Sequence, residues 1–163
     1  MESKKCVLVG DRYVGKNKLA AIFLGITGIE EYLPTVIDNQ CVSICVDDVM
    51  YYIGVFSTEG SEEYERLRPL PYPCVPIILV GSCAEVRKTP EKVNSLAEQG
   101  ITLISQEQGE AMAKRIGAVE YIEWNDSGKE DVDFIFEEAI RACLKKSKEN
   151  SKGNKKDKGC NLS

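Results

Sequence analysis

The feature that most constrains the fold is the stretch 5–17, a short apolar run that leads directly into the pattern Gly-x-x-x-x-Gly-Lys. Gly10 and Gly15 can adopt backbone angles that let successive amide N–H groups converge on an anion. A helix that begins near Lys16 adds the positive end of its dipole at the same place. The sequence therefore predicts a buried strand, a phosphate-binding loop and a helix, in that order.

The residue after Lys16 departs from the usual form of this loop. Lys16 is placed to reach the β- and γ-phosphates of a nucleotide, and the next residue is normally Ser or Thr, whose hydroxyl ligates Mg²⁺. Here that residue is Asn17. We therefore expect the frame of a nucleotide site with an altered metal ligand. An ordinary glycine turn between a strand and a helix is the alternative.

Composition narrows the classes of function. A chain of 163 residues suits one domain with a substantial core. It has no histidine, which excludes acid–base or nucleophilic catalysis by histidine. No apolar run approaches the length of a membrane span, and the first residues lack the apolar core of a signal peptide. Cys41 and Cys45 are spaced like half of a metal site without a second pair, so we expect the reduced thiols of a cytosolic protein.

The charge is distributed unevenly along the chain. From Lys145 onward there are seven lysines and only two acidic residues, a local charge of +5 against −5 for the whole chain, which leaves −10 on the rest. A basic tail on an acidic body favours an anionic membrane surface over nucleic acid as its partner. We expect residues 145–163 to form a disordered tail behind a domain of residues 1–144.

Hydrophobic periodicity and turn residues predict alternating strands and helices. Asp47–Asp48 is a hairpin turn, and Ser105 with Gln108 forms a capping box for a helix that Gly117 ends. The expected strands are 36–46, 50–56, 77–80 and 119–124; the expected helical segments are 18–24, 62–67, 91–98, the stretch from the capping box to Ile116, and 131–144. This order predicts an α/β domain with a mostly parallel sheet and one antiparallel hairpin.

Two further stretches identify a family. Residues 32–39 (Tyr-Leu-Pro-Thr-Val-Ile-Asp-Asn) resemble the first switch of Rho-family small GTPases, and residues 63–70 followed by Tyr72-Pro73 resemble their second switch. The helix over 91–98 is similar to the family's insert helix. Cys160-Asn161-Leu162-Ser163 resembles the family's prenylation box, in which a final Ser favours farnesyl. The resemblance covers nearly the whole chain and implies a Ras-like P-loop fold.

The resemblance also implies a site for GTP or GDP with Mg²⁺ and a surface for protein partners. The implied nucleotide-binding residues are Gly10, Arg12, Val14, Gly15, Lys16, Asn17, Thr35, Gly60, Cys83 and Glu85, with Asn17 and Thr35 as metal ligands. The implied surface for exchange factors or effectors is Tyr32, Pro34, Val36, Asp38, Asn39, Tyr64, Arg66 and Leu67. A lipid on Cys160, together with the lysines, would place the protein on the cytoplasmic face of a membrane. The plasma membrane is the one we expect.

Several residues depart from the family pattern where it carries chemistry. Asn17 replaces a threonine, and Ser57 replaces the carboxylate that holds the metal through water. Ser61 replaces the glutamine that orients the attacking water, and Glu85 is one methylene longer than the base-reading aspartate. We expect GTP and GDP to bind weakly or not at all and hydrolysis to be negligible. A functional, GTP-hydrolysing switch is the alternative.

Two changes bear on the phosphate position itself. Glu59 brings a carboxylate close to the place of the γ-phosphate, and Arg12 replaces a loop glycine of the family. Our hypothesis is that Glu59 pairs with Lys16, with Arg12 as a further candidate partner, so that an internal carboxylate occupies the phosphate site. A solvent-facing loop residue is the alternative for Glu59.

A strand and a long helix of the family pattern are missing between Tyr72-Pro73 and Ile77, where only Cys74-Val75-Pro76 remains. Their loss removes a central strand of the sheet. Either the strand over 77–80 slides into the vacant place beside the first strand, or the fold is compromised. A splice form or a faulty gene model would also explain the gap.

Overall fold

The structure is a computed structural model that describes residues 2–26, 40–58, 75–125 and 128–153. Its elements are β1 (Glu2–Leu8), α1 (Lys16–Leu24), β2 (Gln40–Val46), β3 (Val49–Ser57), β4 (Ile78–Ser82), a 3₁₀ helix (Ala84–Lys88), α2 (Pro90–Glu98), α3 (Gln106–Ile116), β5 (Glu120–Trp124) and α4 (Lys129–Gly153). The predicted alternation of strands and helices is confirmed within these ranges. The predicted helical turn over 62–67 and the start of the strand at 36–39 lie outside the described residues.

The described strands form two sheets. In the first sheet the order is β1–β3–β2, with β1 parallel and β2 antiparallel to β3. In the second sheet β4 and β5 are parallel. The predicted α/β class, with mostly parallel pairing and one antiparallel hairpin, is therefore confirmed.

The two sheets share one core, although no pairing joins their described strands. Ile122 and Trp124 of β5 lie in the same buried cluster as Ile53 of β3. Helices α1 and α4 form the other wall of this cluster, where the rings of Phe23 and Phe136 stack with centroids 3.7 Å apart. The helices therefore hold the sheets together through apolar burial, in place of hydrogen bonds between strands.

Helix α3 packs on the opposite face of the second sheet. On β5, Ile122 and Trp124 point into the shared core, so the alternation of a strand places Tyr121 and Glu123 on the other face. The Tyr121 ring lies between Gly81 of β4 and Gly109 of α3, and a Cβ atom at either glycine would overlap the ring. These two glycines are required for close packing.

The handedness of the connections indicates the order of the strands across the domain. The chain crosses from β1 to β3 by α1 on the core face, and from β4 to β5 by α3 on the opposite face. Right-handed crossovers on opposite faces run in opposite directions across a sheet. Applied to this chain, the rule predicts that β3 and β5 lie toward opposite ends of the domain, with β1 and β4 between them.

The expectation that the strand over 77–80 moves beside the first strand is wrong. Among the described strands, β4 pairs with β5 alone, and the Val119 amide donates to the Ile77 carbonyl oxygen at 2.8 Å. Ile78 and Val80 pack against the shared core from this position. The other alternative, a compromised fold, stays a prediction; in the described residues both sheets contribute to one buried core.

The local turn and cap predictions are confirmed. Asp47 and Asp48 have φ angles of 51° and 61°, the positive values that a two-residue hairpin turn requires. Ser105 and Gln108 make both hydrogen bonds of a capping box at the start of α3. Gly117 ends that helix with a φ of 70°.

Helix α4 is longer than predicted. It continues beyond Leu144 to Gly153, so the expectation that disorder begins at Lys145 is wrong up to that point. Lysine and glutamate are good helix formers, and the Ser147 hydroxyl donates to the Cys143 carbonyl oxygen at 3.0 Å. None of the described helices is both long enough and apolar enough to cross a membrane.

Candidate nucleotide site

The loop between β1 and α1 has the backbone of a phosphate cradle. Gly10 and Gly15 have φ angles of 156° and 93°, and Tyr13 has a φ of 66°. A Cβ atom at Gly10 would lie 3.2 Å from Val14 Cγ2, and one at Gly15 would lie 3.1 Å from the Trp124 ring. Both the backbone angles and the space therefore require glycine, and the predicted strand, loop and helix are confirmed.

Lys16 folds back across this loop. Its Nζ donates to the Asp11 carbonyl oxygen at 2.7 Å, which holds the ammonium group at the N-terminus of α1. Arg12 and Val14 lie on the exposed side of the loop, with Val14 41% exposed. A positive helix end and a lysine at one place favour a phosphate group there. Glu59, the predicted partner of Lys16, lies outside the described residues.

Two residues that stand where the family pattern has groups holding the metal, Asn17 and Ser57, carry neutral side-chain oxygens. Asn17 lies in the first turn of α1, and its Oδ1 atom is shielded from solvent. Ser57 ends β3 opposite Leu8 and is 6% exposed. Thr35 lies outside the described residues. Because Mg²⁺ sites usually include carboxylates in near-octahedral geometry, Asn17 and Ser57 fit the ion poorly.

The loop after β4 presents a carboxylate that suits a purine base. Cys83 is exposed with a φ of 59°, and it leads into the 3₁₀ helix that carries Glu85. The Glu85 Oε2 atom is buried and accepts no hydrogen bond from the described residues. A buried oxygen without a donor is unfavourable by about 1–3 kcal/mol. Adjacent N–H groups, such as those on guanine, would satisfy it; the base-binding role of Glu85 stays a prediction.

An ion pair that the sequence reasoning missed anchors this loop. Arg87 donates to both carboxylate oxygens of Glu123, at 2.7 and 3.0 Å, and its Nε donates to the Ile104 carbonyl oxygen at 2.7 Å. The Tyr121 hydroxyl donates to Glu123 at 3.1 Å. Hydrogen bonding by Arg87 holds the pKa of Glu123 below its ordinary value. The sequence offered one indication of this pair: Tyr121 and Glu123 are two residues apart in a strand and therefore lie on the same face, with polar groups that need partners.

Trp124 connects the base side of the site to the phosphate side. It ends β5, is 4% exposed, and lies against Gly15 of the phosphate loop. Its Nε1 atom is buried and makes no hydrogen bond with the described residues. The sequence reasoning treated Trp124 as a strand residue and missed this contact, since no local pattern indicates it.

The described cysteines form no disulfide. Burial raises the pKa of the Cys6 thiol to about 12, whereas Cys41, Cys45 and Cys83 are exposed. Within the described ranges, no three Asp, Glu, Cys or His side chains lie close enough together to hold a metal ion. Cys41 and Cys45 therefore do not belong to such a group among these residues.

The other predicted site residues lie outside the part of the chain that the structure describes. They comprise the partner surface, the remaining switch residues and the lipid site: Tyr32, Pro34, Thr35, Val36, Asp38, Asn39, Gly60, Ser61, Tyr64, Arg66, Leu67 and Cys160. Their predicted roles stay predictions.

Comparison with known proteins agrees with this geometry. Residues 5–99 match the model of the Ras family. The chain is also similar to the GTP-binding protein RHO1 of Eremothecium gossypii, with 35% identity over 190 residues that cover 95% of this chain and 92% of the relative. The alignment is longer than the 163-residue chain, so the relative has residues that this chain lacks.

Proposed function

Because the chain belongs to the Rho family of small GTPases, we propose that it is a signalling protein of that family with weakened nucleotide binding and negligible hydrolysis. The observation that carries the proposal is Ser57, a buried neutral residue at the end of β3, beside the phosphate loop. A carboxylate there would hold Mg²⁺ through water in the family pattern, and a hydroxyl cannot replace its charge.

The chain keeps residues that would bind each end of a guanine nucleotide, the phosphates and the base. The backbone between Gly10 and Gly15, together with Lys16, would hold phosphate oxygens, and the free Oε2 atom of Glu85 would accept N–H groups of the base. When bound, Mg²⁺ would supply positive charge that offsets the negative charge of the phosphate groups. Asn17 and Ser57 are poor ligands for Mg²⁺. We therefore expect weak nucleotide binding that does not depend on Mg²⁺.

Hydrolysis needs further groups that this chain replaces. Ser61 stands where a glutamine would orient the attacking water, in addition to the changes at Asn17 and Ser57. The loss of one preorganised group typically lowers the rate by roughly 10²–10³-fold. The combined changes support a protein that acts by binding partners and not by turning over GTP.

A titration with fluorescent GDP, with and without Mg²⁺, tests this proposal on the full-length protein. We expect weak binding that Mg²⁺ changes little, and no stoichiometric nucleotide in the purified protein. The double variant Asn17→Thr, Ser57→Asp should regain Mg²⁺-dependent affinity. The matched control Asn17→Thr, Ser43→Asp puts the second carboxylate on exposed β2 and should not. Stoichiometric GDP that requires Mg²⁺ in the unaltered protein would overturn the proposal.

A functional GTP-binding switch is the second candidate. The glycine-lined loop and the unsatisfied Glu85 oxygen favour it, because both suit a ligand that bridges the two sheets. Phosphate release by the purified protein separates the two candidates. Release above the buffer rate, abolished by Lys16→Ala, would establish the switch and exclude the first candidate.

We also propose that the protein acts at the cytoplasmic face of a membrane. The lysine-rich stretch after Leu144 and a lipid on Cys160 would provide the two signals that stable anchoring needs. Partners would be exchange factors or effectors of Rho-type switches, bound through the surface that includes Tyr32 and Tyr64. Cell fractionation of Cys160→Ser should show loss from the membrane, whereas Cys143→Ser on α4 should not. Unchanged membrane association of Cys160→Ser would remove this part of the proposal.

A further inference from the structure

Trp124 lies between the two loops of the candidate site. It is the last residue of β5, where its backbone is paired with Ser82, the last residue of β4. The loop that carries Glu85 follows directly after Ser82. The six-membered ring of Trp124 lies against the phosphate loop: a Cβ atom at Gly15 would be 3.1 Å from Trp124 Cζ3 and 3.9 Å from Cη2. The same residue therefore contacts one loop with its side chain and borders the other with its backbone.

The Trp124 ring is held in this place by the core. The residue is 4% exposed and belongs to the buried cluster that both sheets share, so the ring could not turn away without leaving a cavity. Its Nε1 atom is buried and makes no hydrogen bond with the described residues. A buried donor without an acceptor is unfavourable. What the ring contributes here is therefore its size and its reach toward the phosphate loop, and not a hydrogen bond.

Gly15 is the point at which the phosphate loop becomes α1. It has a φ of 93°, and its carbonyl oxygen accepts from the Leu19 amide at 2.9 Å, the first hydrogen bond of the helix. Lys16 follows directly. Backbone amides of such a loop bind an anion well only when they are held in one arrangement before the anion arrives. A large ring packed on Gly15 therefore restricts the backbone where a phosphate group would bind.

No pairing joins the described strands of the two sheets, so strand hydrogen bonds among these residues do not set the distance between the two loops. We propose that Trp124 is a positioning residue of the nucleotide site: its ring holds the phosphate loop at the distance from the Glu85 loop that one nucleotide spans. It acts through Gly15 and not by contact with the nucleotide. The inference rests on the proposed function, because it concerns how the site binds GDP.

The first test is spectroscopic and uses the unaltered, full-length protein. Trp124 is the single tryptophan of the chain, so tryptophan emission reports on this residue alone. GDP should change the emission in a saturable way, because its phosphate charge would lie close to the ring. Equilibrium dialysis with radiolabelled GDP measures binding independently, and the two midpoints should coincide. GDP binding without a change in emission would overturn the inference.

The second test compares GDP binding by two core variants. Trp124→Leu keeps an apolar side chain but removes the ring that reaches Gly15. The matched control Phe136→Leu shortens another ring of the same core, one that stacks on Phe23. Trp124→Leu should weaken GDP binding roughly tenfold, because binding must then fix the backbone of about one more residue. Phe136→Leu should lower stability and leave GDP binding nearly unchanged. An equal loss of GDP binding in both variants would indicate a merely structural role and overturn the inference.

The third test measures the contact without any nucleotide. The Leu19 amide donates to Gly15, so its hydrogen exchange reports on the junction between the phosphate loop and α1. Trp124→Leu should speed this exchange more than Phe136→Leu does. Equal exchange rates at Leu19 in the two variants would overturn the inference. The emission titration needs no substitution, so it stays decisive if Trp124→Leu fails to fold.

These tests separate the inference from the proposed function. Stoichiometric, Mg²⁺-dependent GDP in the unaltered protein would overturn weakened binding, but a selective loss of affinity in Trp124→Leu would still support the positioning role. Weak binding that is the same in the unaltered protein and in Trp124→Leu would leave the proposed function in place and overturn the inference. A complete lack of GDP binding by the unaltered protein would also overturn it, because no nucleotide would then span the two loops.

Discussion

The two sheets are held in place by different means. The three-stranded sheet is buried on one face by aliphatic residues such as Ile53 and Val55, packed against α1 and α4. The two-stranded sheet is fixed from both faces: by Trp124 on the core side, and by the Tyr121 ring and the Glu123 ion pair on the other. The comparison shows how two sheets can share a core where their described strands do not pair with each other.

This division crosses the candidate site. The phosphate loop belongs to the three-stranded sheet, and the loop with Glu85 belongs to the two-stranded sheet. The relative position of the two loops therefore depends on the helices and on the contact of Trp124 with Gly15. Substitutions in the shared core and in the two-stranded sheet can show how much each contributes to the free energy of unfolding.

The largest effect is expected for Phe136→Ala, because Phe136 stacks on Phe23 in the core that both sheets share. Loss of a buried phenylalanine typically lowers the free energy of unfolding by about 3–5 kcal/mol. The matched control is Phe134→Ala on the same helix, since Phe134 is 48% exposed. Urea unfolding followed by circular dichroism measures both. Equal effects of the two variants would mean that the core does not join the halves.

The next effect concerns the two-stranded sheet alone. In Gly109→Ala, the new methyl group would overlap the Tyr121 ring, and such overpacking typically costs about 1–3 kcal/mol of unfolding free energy. Combining it with Tyr121→Ala should remove most of the additional cost, as a double-mutant cycle would report. If the two effects simply add, the ring does not set the distance between α3 and β5.

A smaller effect is expected when the ion pair is broken. Glu123→Gln should lower the free energy of unfolding by about 1 kcal/mol at pH 7, because both side chains of the ion pair are partly exposed and solvent screens their attraction. The exposed residue Glu98 offers the control Glu98→Gln, which should change stability little.

The pH dependence of this variant has a definite sign. Hydrogen bonding by Arg87 holds the pKa of Glu123 below its ordinary value of 4.5. The pair therefore stabilises the fold fully above pH 4.5 and loses its effect as the pH falls through the lowered pKa. Unfolding midpoints of the two proteins should converge in acid, and a constant difference would argue against the ion pair.

The last prediction concerns the alkylation rates of the cysteines, which report burial in the first sheet with no change to the sequence. Because burial raises the pKa of Cys6 to about 12, its thiolate is scarce at pH 8 and alkylation should be slow. Cys41, Cys45 and Cys83 are exposed and should react first with iodoacetamide, as peptide mass spectrometry would show. Rapid modification of Cys6 under native conditions would show that β1 separates readily from the core.

Much of the local structure could be predicted from the sequence. The phosphate loop, the Asp47–Asp48 turn, the capping box at Ser105 and the stop at Gly117 each depend on a few neighbouring residues with strong backbone preferences. The α/β class could also be predicted, because hydrophobic periodicity and turn residues indicate strands that alternate with helices. The unusual residues of the site, above all Asn17 and Ser57, were also visible in the sequence.

The tertiary structure alone decided how the two sheets meet. The contact of Trp124 with Gly15, the pairing of Arg87 with Glu123 and the pairing of β4 with β5 alone join residues far apart in the chain. Their energies depend on which surfaces the helices bring together, and no local pattern encodes that.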